Sequence, residues 1–195
     1  LADKGRAKVV LLGRRSIASS DEWENLSKDD VSKTSGLYRS LVDLNSRLGS
    51  LEYKAINVAD NMSVQKLGVD IKERYGKISG IFHAAGVAGD GFLMSKDENR
   101  FREVLDPKLN GSMNLMQLLA QSPTGFLALF SSITALTGGE GQGDYSAANA
   151  FMDALADAGQ QDGIKVVSIN WPSWKEVGMS VDFSVNDDAN LFSHI

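Results

Sequence analysis

The segment Phe126-Leu127-Ala128-Leu129-Phe130-Ser131-Ser132 decides the reading of the fold. Its apolar residues run without alternation and then give way to two serines, which predicts a strand buried on both faces with a polar carboxyl end. Downstream, the alanine-rich stretch from Tyr145 to Ala158 predicts a helix, and Ile164 to Trp171 another strand. Upstream, Asp97 to Leu119 carries Phe101, Val104, Leu105, Leu109, Met113 and Met116 at helical spacing. Pro107 lies inside that pattern and predicts a kink or break.

Farther out the alternation repeats. Ile78 to Ala85 reads as a strand running into Gly86, preceded by a helix through Val64, Leu67, Ile71 and Tyr75 that Gly76 ends. Leu51 to Val58 reads as a strand, and Leu37, Leu41, Leu44 and Leu48 recur at helical spacing up to Gly49. Ala7 to Leu12 is a short β-branched run ended by Gly13. Repeated strand–helix alternation predicts an α/β fold, a Rossmann-like parallel sheet with helices on both faces. The polar stretch from Ser16 to Ser35 reads as a mobile surface insertion, and the residues after Met179 show little periodicity.

Composition narrows the function. The chain has 195 residues, 43% apolar and 23% charged, enough for a globular core. A net charge of −5 disfavours a phosphate-tracking nucleic-acid binder. No apolar run approaches the roughly 18–20 residues of a membrane-spanning helix. Absence of cysteine excludes disulfides, thiolate metal sites and a cysteine nucleophile. The two histidines, His83 within a strand pattern and His194, make a histidine metal site improbable, and His83 reads as a packed strand residue.

In an open parallel sheet, ligands sit outside the carboxyl ends of the strands. Gly13-Arg14-Arg15 ends one strand, and its guanidinium groups suit a ribose 2′-phosphate, pointing to NADPH over NADH. Asn57-Val58-Ala59-Asp60 and Ala84-Ala85-Gly86 end two others, the latter with so little side-chain volume that a ligand can approach the backbone. The glycine-rich stretch from Gly138 to Gly143 matches neither dinucleotide nor P-loop spacing and reads as a flexible loop. Tyr145 and Asn149 share a helix face, where they can meet Ser131, Ser132 and Lys108. A phenol, titrating at about 10, donates a proton poorly at neutral pH unless a neighbouring ammonium favours its phenolate. A serine hydroxyl can hold the carbonyl oxygen that receives that proton.

Four stretches in this order resemble a known family: Ile81-Phe82-His83-Ala84-Ala85-Gly86-Val87, Leu105-Asp106-Pro107-Lys108-Leu109-Asn110-Gly111, Phe130-Ser131-Ser132 and Tyr145-Ser146-Ala147-Ala148-Asn149-Ala150-Phe151. They resemble the ketoreductase domains of bacterial modular polyketide synthases, in the short-chain dehydrogenase/reductase superfamily. The resemblance implies NADPH-dependent reduction of a β-ketoacyl group on an acyl carrier protein to a β-hydroxyacyl group, in the cytoplasm and beside other synthase domains. It implies that Tyr145 donates the proton, Ser132 orients the carbonyl, and Lys108 and Asn149 complete a tetrad. In most of the superfamily a lysine stands where this chain has Asn149, so Lys108 serves from the earlier helix. The segment from Asn170 to Met179 is similar to the stretch before the family's substrate lid.

Two positions depart from the family pattern. Ala88-Gly89-Asp90 keeps only the last aspartate of a Leu-Asp-Asp signature, making Asp90 the stereocontrol candidate and leaning toward the B-type product. Asn57 stands where the family often has aspartate against the adenine. The resemblance covers residues 1–179, with 180–195 expected to begin the lid region. It implies that the family's first strand and its glycine-rich phosphate loop lie upstream of Leu1. Without them the chain is expected to bind NADPH poorly and to self-associate through free strand edges. Two alternatives remain: a non-catalytic structural subdomain of a synthase, which the intact tetrad disfavours, and a stand-alone short-chain reductase.

Overall fold

A computed structural model describes residues 7–28, 34–89, 91–121, 125–161 and 165–174. The described chain falls into two compact units that divide between Asn57 and Val58.

The first unit contains strand β1 (Ala7–Gly13), helices α1 (Trp23–Ser27) and α2 (Ser35–Leu48), and strand β2 (Gly49–Ala55). β1 and β2 pair in parallel from Ala7↔Gly49 to Gly13↔Ala55. Trp23, Tyr38, Leu41, Leu48 and Leu51 form its buried core. Gly49 ends α2 at φ 80°, a left-handed conformation that glycine adopts without a Cβ penalty. The expected strand from Leu51 to Val58 starts earlier and stops at Ala55, where β1 runs out as a partner. The stretch from Ser16 to Ser35 departs from the expected mobile insertion over its described part. Trp23 is buried, its indole N–H donates to the Ala18 carbonyl at 2.9 Å, and it anchors α1 in the core. Ile17, Ala18 and Leu26 of the same stretch pack against that core beside it.

The second unit contains α3 (Asn61–Tyr75), β3 (Ile81–His83), α4 (Glu98–Ala120), β4 (Leu127–Ser132), α5 (Thr134–Thr137), α6 (Gly143–Gln161) and β5 (Val166–Trp171). Its parallel sheet has the order β3-β4-β5. Strand β3 is much shorter than the expected run from Ile78 to Ala85, because only Ile81, Phe82 and His83 find partners, along Leu127 to Leu129. Asp60 and Asp97 cap α3 and α4 by accepting backbone N–H bonds in each first turn. Helix α4 runs unbroken through Pro107. The proline is buried in the helix, and its carbonyl meets His83 Nε2 at 2.9 Å. Gly111 leaves no room for a Cβ, which would lie 2.9 Å from a Val58 methyl, so α4 seats closely there. The glycine-rich stretch forms a turn, with Gly138 and Gly141 at positive φ, and α6 starts at Gly143.

Candidate active site

The candidate tetrad lies wholly in the second unit. Ser131 and Ser132 end β4, in register with Asn170 and Trp171 of β5. Lys108, only 2% exposed, comes from α4 and donates to the Phe130 carbonyl at 2.9 Å. Its Nζ stands 5.7 Å from the centre of the Tyr145 ring, within cation–π range. Burial pushes the Lys108 ammonium down to about 8, partly opposed by the Asp153 carboxylate. Asn149 is fully buried and donates from Nδ2 to the Tyr145 carbonyl at 2.7 Å, one helical turn back. Its Oδ1 is buried with no hydrogen-bond partner among the described residues. An orphaned acceptor of that kind is costly unless a bound group supplies a donor. Ser132 Oγ accepts from the Thr134 backbone N–H at 3.3 Å and from Thr134 Oγ1 at 3.0 Å. Both bonds use its lone pairs, which leaves its own proton for another acceptor.

Two groups of residues that the sequence reading passed over complete the surroundings. Asp144, immediately before Tyr145, is fully buried and pairs with Lys96 at 2.6 Å. Its other oxygen accepts from the Tyr145 N–H at 2.9 Å. A Cβ on Gly89 would overlap this carboxylate, so the backbone there lies directly against it. Asp153, two turns after Tyr145, accepts from Ser168 Oγ at 2.5 Å and from Asn170 Nδ2 at 2.8 Å. The signal for Asp153 was present, since Tyr145, Asn149 and Asp153 recur every four residues on one helix face. Nothing local marks the Lys96–Asp144 pair, whose partners stand 48 positions apart.

His83 is buried, and its pKa falls to about 4, first from desolvation and then from the Lys108 charge, with the Pro107 carbonyl acting in the opposite sense. A neutral, packed imidazole matches its reading as a strand residue. The Val58 carbonyl accepts from Asn114 Nδ2 at 2.9 Å, and Ala84 and Ala85 are exposed just past β3. In the first unit Arg14 and Arg15 are exposed after β1. The Tyr53 hydroxyl donates to the Arg15 carbonyl at 2.6 Å, and its ring occupies the space a Cβ on Gly13 would need. Asn57 is exposed beyond β2. The stereocontrol candidate Asp90 and residues 175–195 lie outside the described residues. Among the described residues no cluster of acidic or histidine side chains could hold a metal, and no helix is long and apolar enough to cross a membrane.

Comparison with known proteins gives this geometry its class. Residues 1–176 match the KR domain family, and the chain belongs to it. It is 34% identical over 183 residues to the polyketide synthase PksN of Bacillus subtilis (strain 168), an alignment covering 90% of this chain and 3% of that protein. The crystal structure of a ketoreductase domain from the bacillaene assembly line superposes with a TM-score of 0.78 at 34% identity, covering 91% of this chain and 40% of that one. A short-chain dehydrogenase from Streptomyces avermitilis shares the fold, with a TM-score of 0.65 at 20% identity over 86% of this chain and 57% of that one. The chain thus spans a small part of the length of the synthase it matches.

Proposed function

We propose that the chain is the catalytic region of a β-ketoacyl reductase that uses NADPH and acts on a β-ketoacyl thioester carried by an acyl carrier protein within a polyketide synthase. The observation that carries the reading is the buried Lys108 ammonium over the Tyr145 ring. A cation held there favours negative charge on the phenol oxygen, which is what Tyr145 carries after giving its proton to the substrate oxygen. Ser132, which only accepts from Thr134, donates its hydroxyl proton to the same carbonyl oxygen and fixes its position.

The residues present fit a nicotinamide cofactor. Within the first unit Arg14 and Arg15 would hold the 2′-phosphate and Asn57 the adenine. Within the second, Ala84, Ala85 and Gly86 would let a ligand approach the backbone, Val58, buried with its carbonyl held by Asn114, would back the cofactor, and the orphaned Asn149 Oδ1 would accept a ligand donor. NADPH, when bound, supplies the hydride for the carbonyl carbon. Asp90 would act on product stereochemistry.

Tyr145→Phe in the intact natural protein tests the reading. Turnover of a soluble β-ketoacyl thioester should fall by about 10³-fold, while NADPH binding measured by fluorescence stays within about twofold. Retained turnover would remove Tyr145 from the chemistry.

A further inference from the structure

We propose that Asp153 is a positioning residue of this site, tying the tetrad face of α6 to the ends of β4 and β5 through Ser168 and Asn170. The proposal rests on the roles given above to Lys108, Ser132, Tyr145 and Asn149.

The bonds form a closed circuit. Asp153 leaves α6 on the face of Tyr145 and Asn149 and accepts from Ser168 at 2.5 Å and Asn170 at 2.8 Å. Asn170 Nδ2 also reaches the Ser132 carbonyl at 3.2 Å and Ser131 Oγ at 3.4 Å. Ser131 Oγ donates to the Asn149 carbonyl at 3.2 Å, returning to α6 one turn before Asp153. Removing any member frees the end of β4, which carries Ser132, to shift against the helix that carries Tyr145. Displacements of that kind cost turnover far more than they cost binding.

The carboxylate also has an electrostatic reach that a neutral side chain lacks. Among the described residues, the titratable groups facing Lys108 are His83 from β3, and Tyr145 and Asp153 from α6. His83 is neutral at working pH, so Asp153 supplies the negative charge that opposes the desolvation of the ammonium. Its loss should let Lys108 deprotonate at lower pH, and with Lys108 neutral the phenolate loses its support.

Asp153→Asn keeps the shape and one carbonyl acceptor but removes the charge, whereas Asn170→Ala opens the circuit and keeps the charge. In the intact natural protein, Asp153→Asn should lower kcat by about tenfold with KM within about twofold. It should also move the alkaline limb of the kcat profile to lower pH. The Lys108 titration, followed by NMR of carbon-labelled lysine, should move the same way independently of turnover. Asn170→Ala should lower kcat by a similar factor and leave the limb in place. An Asp153→Asn protein with an unmoved limb and kcat within about twofold of the natural protein would overturn the proposal. Should that variant fail to fold by circular dichroism, undiminished kcat in Asn170→Ala would overturn it. Turnover retained in Tyr145→Phe instead brings down the site reading, and Asp153 with it.

Discussion

The two units bury different chemistry. The core of the first unit is a cluster of Trp23, Tyr38, Leu41, Leu48 and Leu51, and Ser35 is the one buried residue among its described residues with a wholly polar side chain. The second unit buries His83, Lys108, Ser112, Asn114, Ser131, Ser132, Asp144 and Asn149. Each buried polar group costs free energy unless it is bonded, and a buried ammonium costs more. A fold built only for stability would fill those positions with apolar side chains. The first unit follows that rule. The second departs from it at these positions, and Lys108, Ser132 and Asn149 of the candidate tetrad are among them.

Substitutions can break this contrast. The largest effects should come from setting Tyr145→Phe against Trp23→Ala. The first should remove about 10³-fold of turnover and leave the melting temperature nearly unchanged. The second should remove about 3–5 kcal/mol of stability, read by urea unfolding, and leave turnover per folded molecule nearly unchanged. A Trp23→Ala protein of unaltered stability would mean that this ring does not hold the first unit together.

Next in size is a pH effect confined to the second unit. His83 titrates at about 4 when folded, against 6.5 as the reference value. Between those values the unfolded chain binds the extra proton, so stability is complete above about pH 6.5 and is lost as pH falls toward 4. The contribution is about 3 kcal/mol, and His83→Gln should flatten that part of the stability curve. An equally steep fall in the variant would assign the acid sensitivity to other groups.

The smallest effect concerns the exposed arginines after β1. Replacing both Arg14 and Arg15 by alanine should reduce the preference for NADPH over NADH by about tenfold, read as the ratio of the two dissociation constants. An unchanged ratio would leave these arginines as solvated loop charges.

Much of the fold was legible because its signals are local. The leucine spacing of α2 and its glycine stop, the apolar run of β4 and the small residues after β3 each follow from a few neighbouring residues. The three-residue length of β3 was not legible, since a strand extends only where a partner supplies hydrogen bonds. Neither was the continuity of α4 across Pro107, which depends on how the helix packs, including the meeting of His83 with the Pro107 carbonyl. The anchoring of α1 by Trp23 was not legible, because a single aromatic makes no periodic pattern. The candidate tetrad was legible as a set of motifs, but its surroundings, Asp153 with Ser168 and Asn170 and the Lys96–Asp144 pair, join residues far apart in the chain.

By itself the sequence determined the strand–helix alternation and the face of α6 that carries Tyr145, Asn149 and Asp153, because helical periodicity is a property of neighbouring residues. Only the tertiary structure decided that the Lys108 ammonium stands over the Tyr145 ring, shielded from water and titrating at about 8. Desolvation depends on everything packed around a charge, and what packs around Lys108 comes from β3, β4 and α6.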